Sequence, residues 1–339
     1  MTEIIRIGLD LAKSVFEVHA VNAQEQVVVR RSLRRNQVLS WFAKLPPCLI
    51  GTEACGTANH WARELTALGH TVRLIPPAYA KQYVRRNKND AADAAAICEA
   101  VSRPSMRFVP IKTVEQQADS VTHKARQMLI KQRTMAMNSL RSLMAEFGIV
   151  VPQGPQHIGK LLAILADPED TSVPTVARTA LNTMSEMLST LDQQIGVLDK
   201  DIKVRARANP TARRLDTIPG YGPILSSAMA AIVTDPGHFD SGRDFAASLG
   251  LVPRQDGTGG KVKLGPISKR GNGYLRRLLV NGATAVLNGK HARNDPWLAK
   301  MLESKPKKLA AVALANKMAR IAWAVMTRQQ DFRPRAVAA

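Results

Sequence analysis

Residues 4–21 read IIRIGLDLAKSVFEVHAV. The first part, Ile4 to Leu9, is short, apolar and rich in β-branched side chains. The second, Phe16 to Val21, alternates apolar and polar residues as a half-buried strand does. Asp10 stands between them, followed by Leu-Ala-Lys-Ser. The pattern predicts strands at 4–9 and 15–22, joined by a tight connection that Asp10 opens. An aspartate in such a place commonly forms the turn. Open sheets also carry their ligand sites at the carboxyl ends of strands, so the rest of the chain has to choose.

Working outward, apolar runs at 47–51 and 71–75 read as further strands, and 57–68 and 89–101 as helices, the second rich in alanine. Strands alternating with helices predict an α/β region with a mostly parallel sheet. From about 113 to 147 the chain carries no Pro or Gly before its end, and Val121, Ala125, Met128, Leu129, Leu140 and Leu143 recur at helical spacing. A second long helix is predicted at 174–206, with a stripe of Leu181, Met184, Met187, Leu188, Leu191, Ile195 and Leu198. Two such helices suit an antiparallel coiled-coil hairpin, a dimerisation arm or an ordinary bundle. The organisation is therefore read as 1–110, 111–208 and 209–339.

The chain has 339 residues, 48 Lys+Arg against 27 Asp+Glu, and a formal charge of +21. So large an excess favours a polyanionic partner, nucleic acid first. No stretch is read as long enough to cross a membrane, and the N-terminus lacks a signal-peptide pattern. The expected setting is the cytoplasm or nucleoid, without a membrane. Cys48, Cys55 and Cys98 are scattered, and the seven histidines form no metal motif, which argues against structural zinc and a disulfide framework. Aromatic residues make up only 4%, so base stacking is not the expected main mode of binding.

A second carboxylate, Glu53, ends the strand candidate at 47–51 within Gly51-Thr52-Glu53-Ala54-Cys55-Gly56. Asp90 and Asp93 follow, three apart on one face of the alanine-rich helix. Two acids at that spacing repel each other unless a cation lies between them. Asp10, Glu53, Asp90 and Asp93 are the oxygen donors that Mg²⁺ or Mn²⁺ prefers. Two such ions about 4 Å apart would clamp a phosphodiester under attack. On a strongly basic chain this favours phosphodiester chemistry over solvated surface charge.

Two C-terminal segments suit phosphate. In Ile218-Pro-Gly220-Tyr-Gly222, a Gly-x-Gly sequence opens a helical run and would turn backbone N–H groups outward. The segment resembles a helix-hairpin-helix, with a plain packing joint as the alternative. Between Arg254 and Arg277 stand Lys261, Lys263, Lys269, Arg270 and Arg276 against a single acid, Asp256. Gly and Pro punctuate this stretch, predicting a loop or short hairpin that brings positive charge close to phosphates.

IGLDLAKSVFEV, GTEACGT and NKNDAADAAAI resemble the three acidic motifs of the DEDD transposases of the insertion-sequence family one-ten, with its eleven-eleven subgroup, themselves similar to Piv-type DNA invertases. TIPGYGPILSSAMAAIV and residues 239–283 resemble that family's C-terminal transposase domain, so the likeness spans nearly the whole chain. It implies an α/β RNase-H-like (RuvC-like) N-terminal domain, a long helical coiled-coil middle, and a mainly α C-terminal domain with the helix-hairpin-helix-like segment. It also implies that Asp10, Glu53, Asp90 and Asp93 bind the metal, and that a non-coding guide RNA, the DNA of the element ends and target, and dimers assembling into a tetramer are the partners. The family carries a serine nucleophile in the basic loop. Here its place falls on Thr258, or on Gly257 when counted from the other side, with Ser268 nearby. A threonine keeps the hydroxyl and adds a methyl group that crowds attack. The expected activity is RNA-guided, site-specific DNA recombination. The rivals are an RNA-independent invertase or junction-resolvase-like nuclease, a sugar or acetate kinase, and a non-catalytic scaffold.

Overall fold

The computed structural model describes residues 3–83, 89–259, 261–289 and 295–334. The chain forms two compact units, Met1–Thr113 and Val114–Ala339.

The first unit contains β1 (Arg6–Asp10), β2 (Val15–Val21), β3 (Val27–Arg34), α1 (Val38–Phe42), β4 (Leu49–Glu53), α2 (Ala58–Ala67), β5 (Thr71–Ile75), α3 (Pro77–Ala80) and α4 (Asp90–Ala100). Its strands run in the order β3-β2-β1-β4-β5. The pairs β1/β2 and β2/β3 are antiparallel, while β1/β4 and β4/β5 are parallel. The sheet is thus mixed, which corrects the expectation of a mostly parallel one. The difference lies in β3, an edge strand absent from the sequence reading. Its VVVRRSLR buries only Leu33, so the period-2 signal is diluted by arginines that suit an exposed edge. The turn before it is held by the Asn22 side chain, whose Oδ1 accepts from the Gln24 and Gln26 amides at 3.1 and 2.9 Å.

Alternate residues of β1 face opposite sides of the sheet. Ile7 and Leu9 join a core with Phe16, Ile50, Trp61 and Leu65, where Phe16 and Trp61 meet edge to face at 4.9 Å. On the other side α4 lies directly on the strands. A Cβ placed on Gly8 would be 2.0 Å from the Ala94 carbonyl oxygen, and one on Gly51 would be 2.7 Å from Val101 Cβ. Gly8 and Gly51 are register partners on β1 and β4, so together they form a flat seat for the helix.

The second unit contains α5 (Val114–Ala145), α6 (Ile158–Ala166), α7 (Thr175–Ala208), α8 (Pro210–Asp216), α9 (Pro223–Ile232), α10 (Gly242–Ser248), β6 (Pro253–Thr258), β7 (Lys261–Ile267), α11 (Gly273–Asn288), α12 (Pro296–Ser304) and α13 (Lys307–Arg328). Helices α5 and α7 are antiparallel. Asp119, Arg126 and Arg133 on α5 pair with Arg205, Asp199 and Asp192 on α7, so numbers rise on one helix as they fall on the other. The α7 stripe buries Leu181, Leu188, Leu191 and Ile195 but leaves Met187 exposed. On α5 the expected face holds only in part: Leu140 is buried, and Ala125 and Leu129 are half-buried. Val121, Met128 and Leu143 are exposed, and the buried face carries Ser120, His123, Ala136, Met137, Leu140 and Met144. Polar residues on the inner face misled a reading by hydrophobicity.

A further correction concerns α13. It has 22 residues, and an 18-residue window within it reaches a mean hydropathy of 1.3, long and apolar enough to cross a membrane by length and composition. It is a core helix here. Leu314, Met318, Ala319 and Ala322 pack with Leu225, Met229, Leu275 and Leu279.

Candidate functional site

The acid cluster follows from the glycine seat. Asp10 and Glu53 each lie two residues beyond a seat glycine, on neighbouring parallel strands. Period-2 geometry turns both toward the face that α4 covers. The first turn of α4 supplies Asp90 and Asp93. Asn89 caps it, its side chain accepting from the Ala92 amide at 2.7 Å, and acids in a first turn suit the helix dipole. Carboxylate oxygens of Asp10, Asp90 and Asp93 all lie within 4.8 Å of one another. Glu53 stands outside that grouping but close enough for its charge to act on Asp10. The Asp10 carboxyl is pushed up to about 6, first by burial, then by Asp93, Asp90 and Glu53, against a weaker opposing hydrogen bond from the Leu11 backbone. Among the described residues, none of these four carboxylates has an ion-pair partner.

These donors fit a hard divalent cation. Oxygens across an octahedral Mg²⁺ are separated by about 4.2 Å, close to the spread of the three aspartates. The unbalanced negative charge also supplies the attraction. Asn87 and Lys88, which precede these acids in the sequence motif, lie outside the described residues.

The basic segment forms a two-stranded ribbon. Thr258 is opposite Lys261, and Asp256 is opposite Lys263, on one face. Gln255 with Leu264, and Gly257 with Val262, make up the other. Every side chain of β6 and β7 except Ile267 is exposed, Val262 at 58% and Leu264 at 66% among them. Gly259 turns the tip with φ of 56°. Gly260 lies outside the described residues.

The base of the ribbon is locked. The Lys269 amide donates to Gly250 O at 3.2 Å and the Ser268 amide to Val252 O at 2.8 Å. Arg276 Nη1 donates to Leu249 O at 3.0 Å and Arg270 O at 2.7 Å. Lys269 itself has φ of 55°, a left-handed conformation that a non-glycine residue keeps only when its surroundings hold it. Arg254, Lys261, Lys263, Lys269, Arg270 and Arg277 present exposed charge, with Arg277 lying over the Tyr274 ring at 5.6 Å. Ser268 is partly buried beside this lock.

The glycine pair differs within itself. Gly220, with φ of 86°, packs against Val286, Gly282 and Met318, whereas Gly222 has open space where a Cβ would go.

Sequence reasoning passed over one polar network. His123 on α5 is 2% exposed. Its Nδ1 is 3.0 Å from Tyr274 Oη and its Nε2 3.0 Å from Ser227 Oγ. Burial first, then Arg126 and Arg205, lower its pKa to about 4. The ring is therefore neutral and ties α5 to α9 and α11. A lone histidine in an otherwise amphipathic helix was the only signal.

Comparison with known proteins agrees along the chain. The profile described as Transposase IS116/IS110/IS902 family matches residues 212–297. A DEDD-type profile of IS110, described as transposase, matches residues 7–149. A probable family 20 transposase of Pseudomonas aeruginosa is 48% identical over 333 residues, covering 97% of this chain and 98% of its own. The transposase for insertion sequence element IS1328 of Yersinia enterocolitica is 40% identical, covering 98% and 99%. That for IS1111A of Coxiella burnetii is 39% identical, covering 98% and 92%.

Proposed function

The chain belongs to the IS110 family of DEDD transposases, and on that premise we propose that it is an RNA-guided, site-specific recombinase that cleaves and rejoins DNA. The observation that carries the reading is the convergence of Asp10, Asp90 and Asp93 within 4.8 Å at the end of a strand, with Glu53 alongside. The strand order, with antiparallel β1–β3 and parallel β1/β4/β5, supports an RNase-H-like, RuvC-like domain.

The four acids would hold Mg²⁺ or Mn²⁺, which when bound polarises the scissile phosphate. The chain's own contribution is the nucleophile. Thr258 Oγ1 bonds to phosphorus while the P–O bond to one deoxyribose oxygen breaks. The departing oxygen leaves as a hydroxyl, taking up the proton that the threonine gives away. Attack on the phosphothreonine by another strand's hydroxyl reverses the step and rejoins DNA. Neighbouring Lys261, opposite Thr258, suits charge developing on the phosphate. Arg254, Lys261, Lys263, Lys269, Arg270 and Arg277, with the backbone at Gly222 beyond the packed Gly220, would hold the nucleic-acid backbone, and Arg276 would fix the loop that carries them. The α5/α7 pair would serve as the coiled-coil arm through which dimers assemble, and the segment from α8 to α9 as the helix-hairpin-helix.

The test is a nicked suicide substrate with mass spectrometry of the trapped peptide. Wild type and Thr258→Ser should give an adduct on residue 258, with the serine form at least as active. Thr258→Ala should give none, and Asp10→Asn should bind without cleaving. An adduct on Ser268 would refute the nucleophile assignment. Wild-type cleavage by Asp10→Asn would refute the acidic centre. Purified complexes should lose RNase-sensitive nucleic acid and with it site selection; selection without RNA would favour an invertase.

A further inference from the structure

One concavity of the second unit, which Thr258 does not line, was not foreseen from sequence. It is a groove of about 1650 Å³ between the base of the β6–β7 ribbon and the outer side of α13. Leu251, Pro253 and Ile267 form one wall. Its floor is apolar, from Leu309, Val312, Ala313, Ile321 and Ala324. The rim is cationic. Lys317, Arg320 and Arg328 lie along α13, and Arg333 closes the end. The two acids of the lining are Asp295 and Asp331. Asp295 already holds Lys317 at 3.4 Å. Arg320, Arg328 and Arg333 form no ion pair among the described residues. At the mouth stands Trp297, 38% exposed, with Lys317 Nζ 4.4 Å from its ring centroid.

We infer that this groove binds an unpaired polynucleotide strand. A row of uncompensated cations recruits phosphates. A rise of 1.5 Å per residue separates Arg320 from Arg328 by about 12 Å along α13, a span that suits phosphates of neighbouring nucleotides. Phosphate contacts alone would need no apolar floor. A duplex keeps its base faces stacked inside and gains nothing from one. An unpaired strand exposes those faces, and an exposed tryptophan beside an apolar trough gives them something to lie on. The ligand is thus RNA or DNA that has left its helix, held beside the base of the ribbon. This goes beyond the proposed reaction and does not depend on which residue is the nucleophile.

The experiment uses the full-length protein in EDTA, so cleavage plays no part. Affinities are measured by fluorescence anisotropy for oligo(dT), oligo(rU) and a duplex, each about 15 nucleotides long. The double variant R320E/R328E should bind at least one unpaired strand about 10-fold more weakly or worse, while duplex affinity changes less than about 2-fold. Trp297→Ala should weaken the same strand about 3-fold or more, and R320K/R328K should restore wild-type binding and thereby exclude misfolding. Loss confined to oligo(rU) or to oligo(dT) identifies the source as RNA or DNA. An equal loss for strand and duplex would mean a general electrostatic surface and overturn the proposal. So would unchanged strand binding, including the case in which light scattering shows that the variants lose self-association and the occupant is a second copy.

Discussion

Gly8 of β1 and Ala94 of α4 touch through their backbones, so that a Cβ on Gly8 would sit 2.0 Å from the Ala94 carbonyl oxygen. The helix carrying Asp90 and Asp93 is seated where it is because β1 has no side chain there. Gly8→Ala should therefore lift α4, destabilise the first unit by about 2–4 kcal/mol, and abolish the rise in Tm expected from Mg²⁺ at the proposed site. Gly51→Ala should do less, because its nearest obstacle is the Val101 side chain. Thermal melts with and without Mg²⁺ measure both.

Asp10 makes a pH prediction. Its carboxyl titrates near 6 in the fold against 3.8 ordinarily, so the folded protein holds a proton that the unfolded chain has released. Stability from this group is present below about 4 and lost as pH rises through about 6. The full difference corresponds to about 3 kcal/mol, reduced to about 1 kcal/mol by solvent screening at a half-exposed site. Asp10→Asn should raise Tm in EDTA at pH 7.5 and leave it unchanged at pH 4. It should also remove the Mg²⁺ response proposed for wild type, which should be larger at pH 7.5 than at pH 5.

His123 has the opposite sign. Its pKa of about 4 lies below the ordinary 6.5, so the unfolded chain takes up the proton first. Stability of the helical unit is complete above about 6.5 and falls as pH drops toward 4, by up to about 3 kcal/mol. His123→Gln keeps hydrogen-bonding capacity without a titrating ring. Urea unfolding at pH 7 and 4.5 should show a smaller pH difference for the variant than for wild type.

Arg276 and Arg277 are neighbours with different duties. Arg276→Ala frees the Leu249 and Arg270 carbonyls and should lower stability by about 1–2 kcal/mol. It should slow adduct formation at the ribbon tip about 10-fold or more, without changing the salt dependence of binding. Arg277→Ala should leave Tm in place and reduce the slope of log affinity against log salt by about 1.

The sequence made the strand ends and their acids legible, because alternation and chain breaks mark them directly. It did not disclose why Asp90 and Asp93 come to Asp10. That depends on two register-paired glycines under a helix that starts at Asp90, far along the chain from both, a contact with no local pattern. β3 was hidden by its own arginines, and the inner face of α5 by Ser120 and His123. The groove along α13 escaped notice because its walls come from residues 251 to 334, no two segments of which are suggestive alone.

The β6–β7 ribbon has side chains exposed on both faces and, among the described residues, is fastened at its base. With these side chains exposed among the described residues, its cross-strand amides should be the first regular backbone hydrogen bonds of the second unit to exchange with deuterium. The amides of residues 255–259 and 261–264 therefore form a built-in clock. Their exchange slows only when something lies over the ribbon, and the degree of slowing measures how long it stays there, without label, catalysis or mutation.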